Sequence, residues 1–174
     1  TFTVGNDREL DMKLAEFDIL GSIAHITMLY AVGLIEDTEL EQLKKELIAI
    51  HKSILAGDFT IEDGVEDIHS QVELELTRKL GDTGKKIHAG RSRNDQVLVD
   101  LKLYTRSKLT ELVKRTESLF NKLIDLSERY KDDLLPGYTH MQAAMPSSFG
   151  LWFGAYAESL VDDLILIRGA YKIV

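Results

Sequence analysis

The sequence predicts an all-α fold, a helical N-terminal domain that leads into the long helices of a central bundle. Three observations carry that expectation. Apolar residues recur three and four positions apart through most of the chain, which is the spacing of one helix face. Only two prolines, Pro136 and Pro146, occur in 174 residues, so little interrupts long helices. No run alternates apolar and polar residues for long enough to read as a strand.

In the first helix Leu10, Leu14, Phe17, Gly21, Ala24, Met28 and Ala31 share a face, and Gly33 is placed to end it in a left-handed cap. Thr38 followed by Glu41 has the pattern of a capping box and opens a second helix. Leu40, Leu43, Leu47, Ile50 and Ile54 form its stripe, and Gly57 closes it. Residues 57–66 hold turn formers. A third helix starts at Asp67 or Ile68 and runs to Leu80, stopping at Gly81. Gly81 to Gly90 reads as a basic, Gly-rich loop.

Asn94 or Asp95 then caps a helix that continues to about Lys131, with Leu101, Tyr104, Leu112, Leu119, Leu123, Leu126 and Tyr130 on its apolar side. At 1.5 Å per residue it is roughly 55 Å long. A helix of that length needs partners along all of it, from this chain or from other subunits. Pro136 and Gly137 break the chain, and Pro146 fits the first turn of the last helix. Phe149, Trp152, Tyr156, Leu160, Leu164 and Ile167 leave that helix apolar on most sides, so it belongs inside a bundle. The domains read in this way are residues 1–93, the N-terminal helical domain, and residues 94–174, the first long helices of the bundle.

Composition narrows the function. The chain is 44% hydrophobic and 29% charged, as soluble globular proteins are. With 29 acidic and 21 basic residues the net charge is -8, which argues against a general binder of nucleic acid or of acidic membranes. The absence of cysteine excludes disulfides and thiolate metal sites and fits a reducing, cytoplasmic location. The most apolar stretch, Phe149 to Ile167, is interrupted by Glu158, Asp162 and Asp163 and does not read as a membrane span. The start, TFTVGNDREL, has neither the basic nor the apolar region of a signal peptide.

Three segments make poor helix surface and poor core. Glu66-Asp67-Ile68-His69-Ser70 reads most simply as a helix cap with a solvated histidine. The five histidines are too scattered to suggest a metal site. In the second segment Lys85, Lys86, Arg91 and Arg93 fall within nine residues of an acidic chain, next to the start of the long helix. A helix start offers free N–H groups and a positive dipole, which suit a carboxylate or a phosphate. A solvated basic loop is the plain alternative, and RNA is disfavoured because no aromatic platform accompanies the charges. The third segment, Pro136 to Pro146, places Tyr138, Thr139, His140 and Gln142 between two helix breakers. His140 there has the chemistry of a proton carrier, or it is one residue of an ordinary polar turn.

Taken together, these segments resemble a known family. GRSRNDQV at residues 90–97 is similar to the signature of argininosuccinate lyases within the fumarase/aspartase superfamily. PGYTHMQAAMP at 136–146 resembles the superfamily's histidine turn in the form those lyases carry, where Tyr138 follows Gly137. EDIH at 66–69 and the run from Asn6 to Asp11 resemble the same subfamily, in order. The likeness covers the whole chain.

The resemblance implies a longer protein with a fumarase/aspartase-like fold, a homotetramer whose active sites are shared between subunits. It implies reversible elimination of argininosuccinate to arginine and fumarate through a carbanion, with no metal or organic cofactor. His140 matches the histidine given an acid/base role. His69, Asn94 and Thr139 match site positions, Arg93 accompanies them, and Thr3 stands where relatives carry a substrate-binding serine. The Ser-rich loop that supplies the base in relatives is not in these residues, so residues 1–174 alone are expected to be inactive. Two rival readings stand beside this one. Another fumarate-releasing lyase, such as adenylosuccinate lyase, is disfavoured by Tyr138 and the GRSRNDQ string. A non-catalytic scaffold, like the lens proteins of this subfamily, is disfavoured by Asn94, Thr139 and His140.

Overall fold

The computed structural model describes residues 6–174. Its helices are α1 (Asp7–Asp11), α2 (Ala15–Ala31), α3 (Asp37–Ala56), α4 (Ile68–Leu80), α5 (Asp82–Lys85) and α6 (Arg93–Arg129), with a 3-10 turn at Lys86–His88. Strands β1 (Leu134–Thr139) and β2 (Gln142–Ser148) follow, and then α7 (Phe149–Ile173). The chain divides into two units, the first ending at Tyr104 and the second spanning Thr105–Val174, so α6 contributes to both.

In the first unit α2, α3 and α4 enclose a core of Ile19, Ile26, Leu29, Leu43, Leu47, Val72, Leu76 and Ile87. The stripe expected for α3 is the one that is buried. Its N-terminus differs from expectation: Glu36 and Glu39 form the capping box, two residues before Thr38 and Glu41. Gly33 and Gly57 end their helices at φ 77° and 79°, a backbone in which L side chains are strained.

The first helix departs further. It stops after Asp11, whose carboxylate accepts the Ile68 N–H at 2.6 Å and so ties the turn to the start of α4. The buried side of α2 is Ala15, Asp18, Ile19, Ser22, Ile26 and Leu29, whereas Leu10 and Met28 of the expected face are exposed. Periodicity found a helix here but chose the wrong face, because two of its core-facing residues are polar. The expected loop after Gly81 is also ordered. Ile87 plugs into the core, and Gly84 approaches α4 so closely that a Cβ would lie 2.5 Å from the Leu76 backbone.

The second unit overturns one expectation. Residues 134–148 form an antiparallel hairpin, and Pro136 lies opposite Pro146. Pro146 is therefore a strand residue, and Ser148 caps α7, its hydroxyl accepting the Leu151 N–H at 3.1 Å. A two-stranded sheet has only edge strands, which tolerate proline. Ser127 Oγ of α6 donates to the Gly150 carbonyl of α7 at 2.7 Å, and Arg106 stacks over Tyr171 at 4.4 Å. Leu112, Leu119, Trp152, Tyr156, Val161, Ile165 and Leu166 remain exposed.

Candidate active site

The second basic segment does not present its four cations to a ligand. Lys85 pairs with Asp82 at 2.8 Å and Lys86 with Glu39 at 2.6 Å. Arg93 reaches back to Glu66 at 2.7 Å, to Asp67 at 3.1 Å and to the Ser70 hydroxyl at 3.0 Å. It clamps the start of α6 to the start of α4. Asp67 is the N-cap of α4, accepting the Ser70 N–H at 2.8 Å, as its sequence position suggested.

Arg91 turns inward. Its guanidinium donates to Gln96 Oε1, to Ser22 Oγ at 3.1 Å and to His88 Nδ1 at 3.1 Å. A guanidinium has no acceptor, so Nδ1 of His88 is the bare nitrogen and Nε2 carries the proton. Burial, with His69 and Arg91 alongside, pushes the His88 pKa down to about 3. His88 is thus a neutral ring at any physiological pH. It stacks on His69, their centroids 3.7 Å apart and their planes 22° apart. His69 itself is 7% exposed, and burial lowers its pKa, with opposing effects from Asp67 and from the two arginines. The solvated histidine of the plainer reading is not what the fold makes. His25 donates from Nε2 to the Ala89 carbonyl at 2.9 Å and secures the same loop.

Beneath these rings lies a polar core that sequence reading missed. Asp18, Gln96 and Asp100 are essentially inaccessible. Gln96 Nε2 donates to the Asp18 carbonyl at 3.0 Å and to Asp100 Oδ1 at 3.1 Å. Burial pushes the Asp18 carboxyl up to about 6, against the pull of Gln96 and Arg91. Burial and the neighbouring Asp18 push Asp100 up to about 8. Two adjacent buried carboxyls are stable only with a proton between them. The available signal was the pair of polar residues, Asp18 and Ser22, at i and i+4 on one face of a helix rich in apolar residues.

Asn94 lies exposed in the first turn of α6 and takes no part in capping it. Ser92 is the cap, with Asp95 as its partner, in place of the expected Asn94 or Asp95. Thr139 and His140 belong to the second unit, both exposed on the hairpin. His140 and Met141 form its two-residue turn at φ 49° and 61°. Thr3 lies outside the described residues. The structure thus joins His69 and Arg93 through Asp67 and Ser70, with Asn94 next along α6. Among the described residues no cluster of three or more His, Cys, Asp or Glu is placed to hold a metal ion, and no helix is long and apolar enough to cross a membrane.

Comparison with known proteins gives this geometry a context. The profile of a family described as Lyase matches residues 4–174. A curated argininosuccinate lyase of Phocaeicola vulgatus is 66% identical over 171 residues, 98% of this chain and 38% of that protein. That of Parabacteroides distasonis is 66% identical over 172 residues, 99% of this chain and 39% of that protein. The chain therefore spans about two fifths of the length of these relatives. Among solved structures, a fumarate lyase:delta crystallin from Brucella melitensis has a TM-score of 0.79 at 16% identity, covering 99% of this chain and 43% of that one. An EDDS lyase variant with bound fumarate has a TM-score of 0.71 at 20% identity, covering 95% and 31%. At these identities the two structures speak for the fold alone.

Proposed function

Because this chain belongs to the lyase family whose profile it matches over residues 4–174, we propose that it is the amino-terminal part of an argininosuccinate lyase. The observation that carries this is the 66% identity, over 98% of the chain, to a protein of that name. Residues 1–93 are taken as the N-terminal helical domain and 94–174 as the first long helices of the central bundle.

In this reading the substrate is argininosuccinate and the reaction is elimination of arginine to leave fumarate. A base removes a proton from Cβ of the succinyl part, and charge spreads into the adjacent carboxylate. Fixed donors then stabilise that doubly charged group. Asn94 suits the task because its amide is exposed at a helix start, where N–H groups and the helix dipole also favour an anion. Thr139 supplies a second donor and Thr3 a third. His140 acts in proton transfer, His69 contributes to substrate binding, and Arg93 serves by holding the His69 segment. The apolar residues left exposed on α6 and α7 support assembly into a homotetramer with shared sites. A cytoplasmic location goes with this reading.

The test is an ultraviolet assay of fumarate release from argininosuccinate by the full-length protein. Steady release is expected. A folded protein that releases none would sink the reading in favour of a non-catalytic scaffold, and turnover of adenylosuccinate instead would change the substrate.

A further inference from the structure

Two buried polar atoms face one another without a partner. Apart from the proton shared with Asp100, the Asp18 carboxylate has no hydrogen-bond partner, and Nδ1 of His69 has none either. Asp18 Oδ2 lies 3.9 Å from that nitrogen, with Asp18 wholly inaccessible and the His69 side chain 8% exposed. An unmade hydrogen bond between buried groups costs each its lost hydration, so a closer approach is favoured as soon as one group carries the proton.

We propose that Asp18 is a positioning residue for His69, its buried carboxylate holding the imidazole with Nδ1 as the donor and Nε2 as the bare nitrogen. This rests on the reading of His69 as a residue of the substrate site. Three features of the site make the assignment one-sided. His88 is committed as a neutral ring by Arg91, so the stack restrains the His69 ring plane without competing for its Nδ1 proton. Asp100 supplies the proton the carboxyl pair needs, which leaves the Asp18 charge for His69. Gln96 holds both acids in place through the Asp18 carbonyl and Asp100 Oδ1. The charged or titratable groups around Asp18 are Asp11, His69, Arg91 and Asp100. Around His69 they are Asp18, Asp67, His88, Arg91 and Arg93.

The test is Asp18→Asn in the full-length protein. An amide can present its NH₂ to the ring and stabilise the opposite tautomer, so kcat is expected to fall by about 10–100-fold with KM changed by less than about threefold. With the Asp18 carboxyl pushed up to about 6 by burial, an acid limb near that pH is expected in the wild-type kcat profile and should vanish in the variant. In a His69→Asn background the same substitution should cost almost nothing further. An equal loss in both backgrounds would show that Asp18 acts without His69 and overturn the proposal. A readout independent of activity is hydrogen exchange at the His69 ring carbon, followed by mass spectrometry. Its half-titration point should drop when the carboxylate is removed, and an unchanged point overturns the proposal. Should Asp18→Asn not fold, a crystal structure of the wild-type protein decides. Nδ1 within about 3.2 Å of the carboxylate is expected, and a flipped ring or an intervening water overturns it. A wild-type protein without fumarate release would instead overturn the proposed function, leaving the exchange and distance measurements to judge the pairing.

Discussion

Ser92 and Asp95 hold the first turn of α6 reciprocally: the Ser92 N–H and Oγ donate to the Asp95 carboxylate at 2.8 and 2.9 Å, and the Asp95 N–H donates back to Oγ at 3.4 Å. The cap is complete without Asn94. That separates two roles that are hard to separate at most helix starts, because a ligand-binding residue there is often the cap as well.

Asn94→Ala is therefore expected to leave stability within about 0.5 kcal/mol, as for a surface position away from special features. In the full-length lyase it should cost about 1–3 kcal/mol of transition-state stabilisation through the lost donor. Ser92→Ala should do the reverse, costing about 1 kcal/mol of stability as a lost cap and much less in kcat/KM. Denaturant titration and steady-state kinetics on both variants check this. Equal kinetic losses would mean that both act only through the helix start.

Arg93 spends its guanidinium on Glu66, Asp67 and Ser70. Each of these partly exposed pairs contributes about 0.2–1 kcal/mol, so Arg93→Ala should leave the protein folded. Amide hydrogen exchange of residues 66–70 should accelerate, and kcat should fall if His69 on that segment serves the proposed site. A variant with raised KM and unchanged exchange at 66–70 would make Arg93 a direct substrate ligand.

His140 occupies a left-handed turn position at φ 49°. Asn is among the residues most tolerant of that conformation, so His140→Asn removes the imidazole without straining the hairpin. A loss of at least about 100-fold in kcat is expected, in line with general acid/base groups. The melting temperature should stay the same or rise. Near-normal kcat would leave His140 a turn residue and assign the proton transfers elsewhere.

The carboxyl pair makes stability depend on pH. Both pKa values lie above the ordinary 3.8, at about 6 for Asp18 and about 8 for Asp100. Their contribution to stability is therefore full below 3.8 and lost as pH rises through those two values. Asp100→Asn keeps an acceptor for Gln96 and removes one ionisation. Its melting temperature relative to wild type should rise steadily between about pH 5 and about pH 8.5. A difference that does not vary with pH would show that the pair is not linked to folding. His25, His69 and His88, whose pKa values are lowered, act in the other direction, losing stability as pH falls below 6.5.

What could be read without the structure follows from range. Gly33, Gly57 and Asp67 ended or began helices where expected, because caps and αL glycines act within one turn. The same locality misled twice. Near α3 two overlapping acidic patterns competed, and Glu36 with Glu39 won over Thr38 with Glu41. In the hairpin the turn residues are His140 and Met141, where Asn-Gly would have announced a two-residue turn, and two prolines hid the strands.

The sequence by itself determined the helical class, the lengths and order of α3, α4 and α6, and, through GRSRNDQ and the Pro136–Pro146 segment, the family the chain belongs to. Those properties lie in periodicity and in contiguous strings. Only the tertiary structure decided where the charges went. Arg91 meets Ser22 across 69 positions, and Gln96 meets the Asp18 carbonyl across 78. Asp18 and Ser22 were thereby drawn inside a helix face that hydrophobicity alone would have turned outward. A buried polar group is tolerated only beside its partner, and partners this far apart in sequence become visible only once the chain has folded.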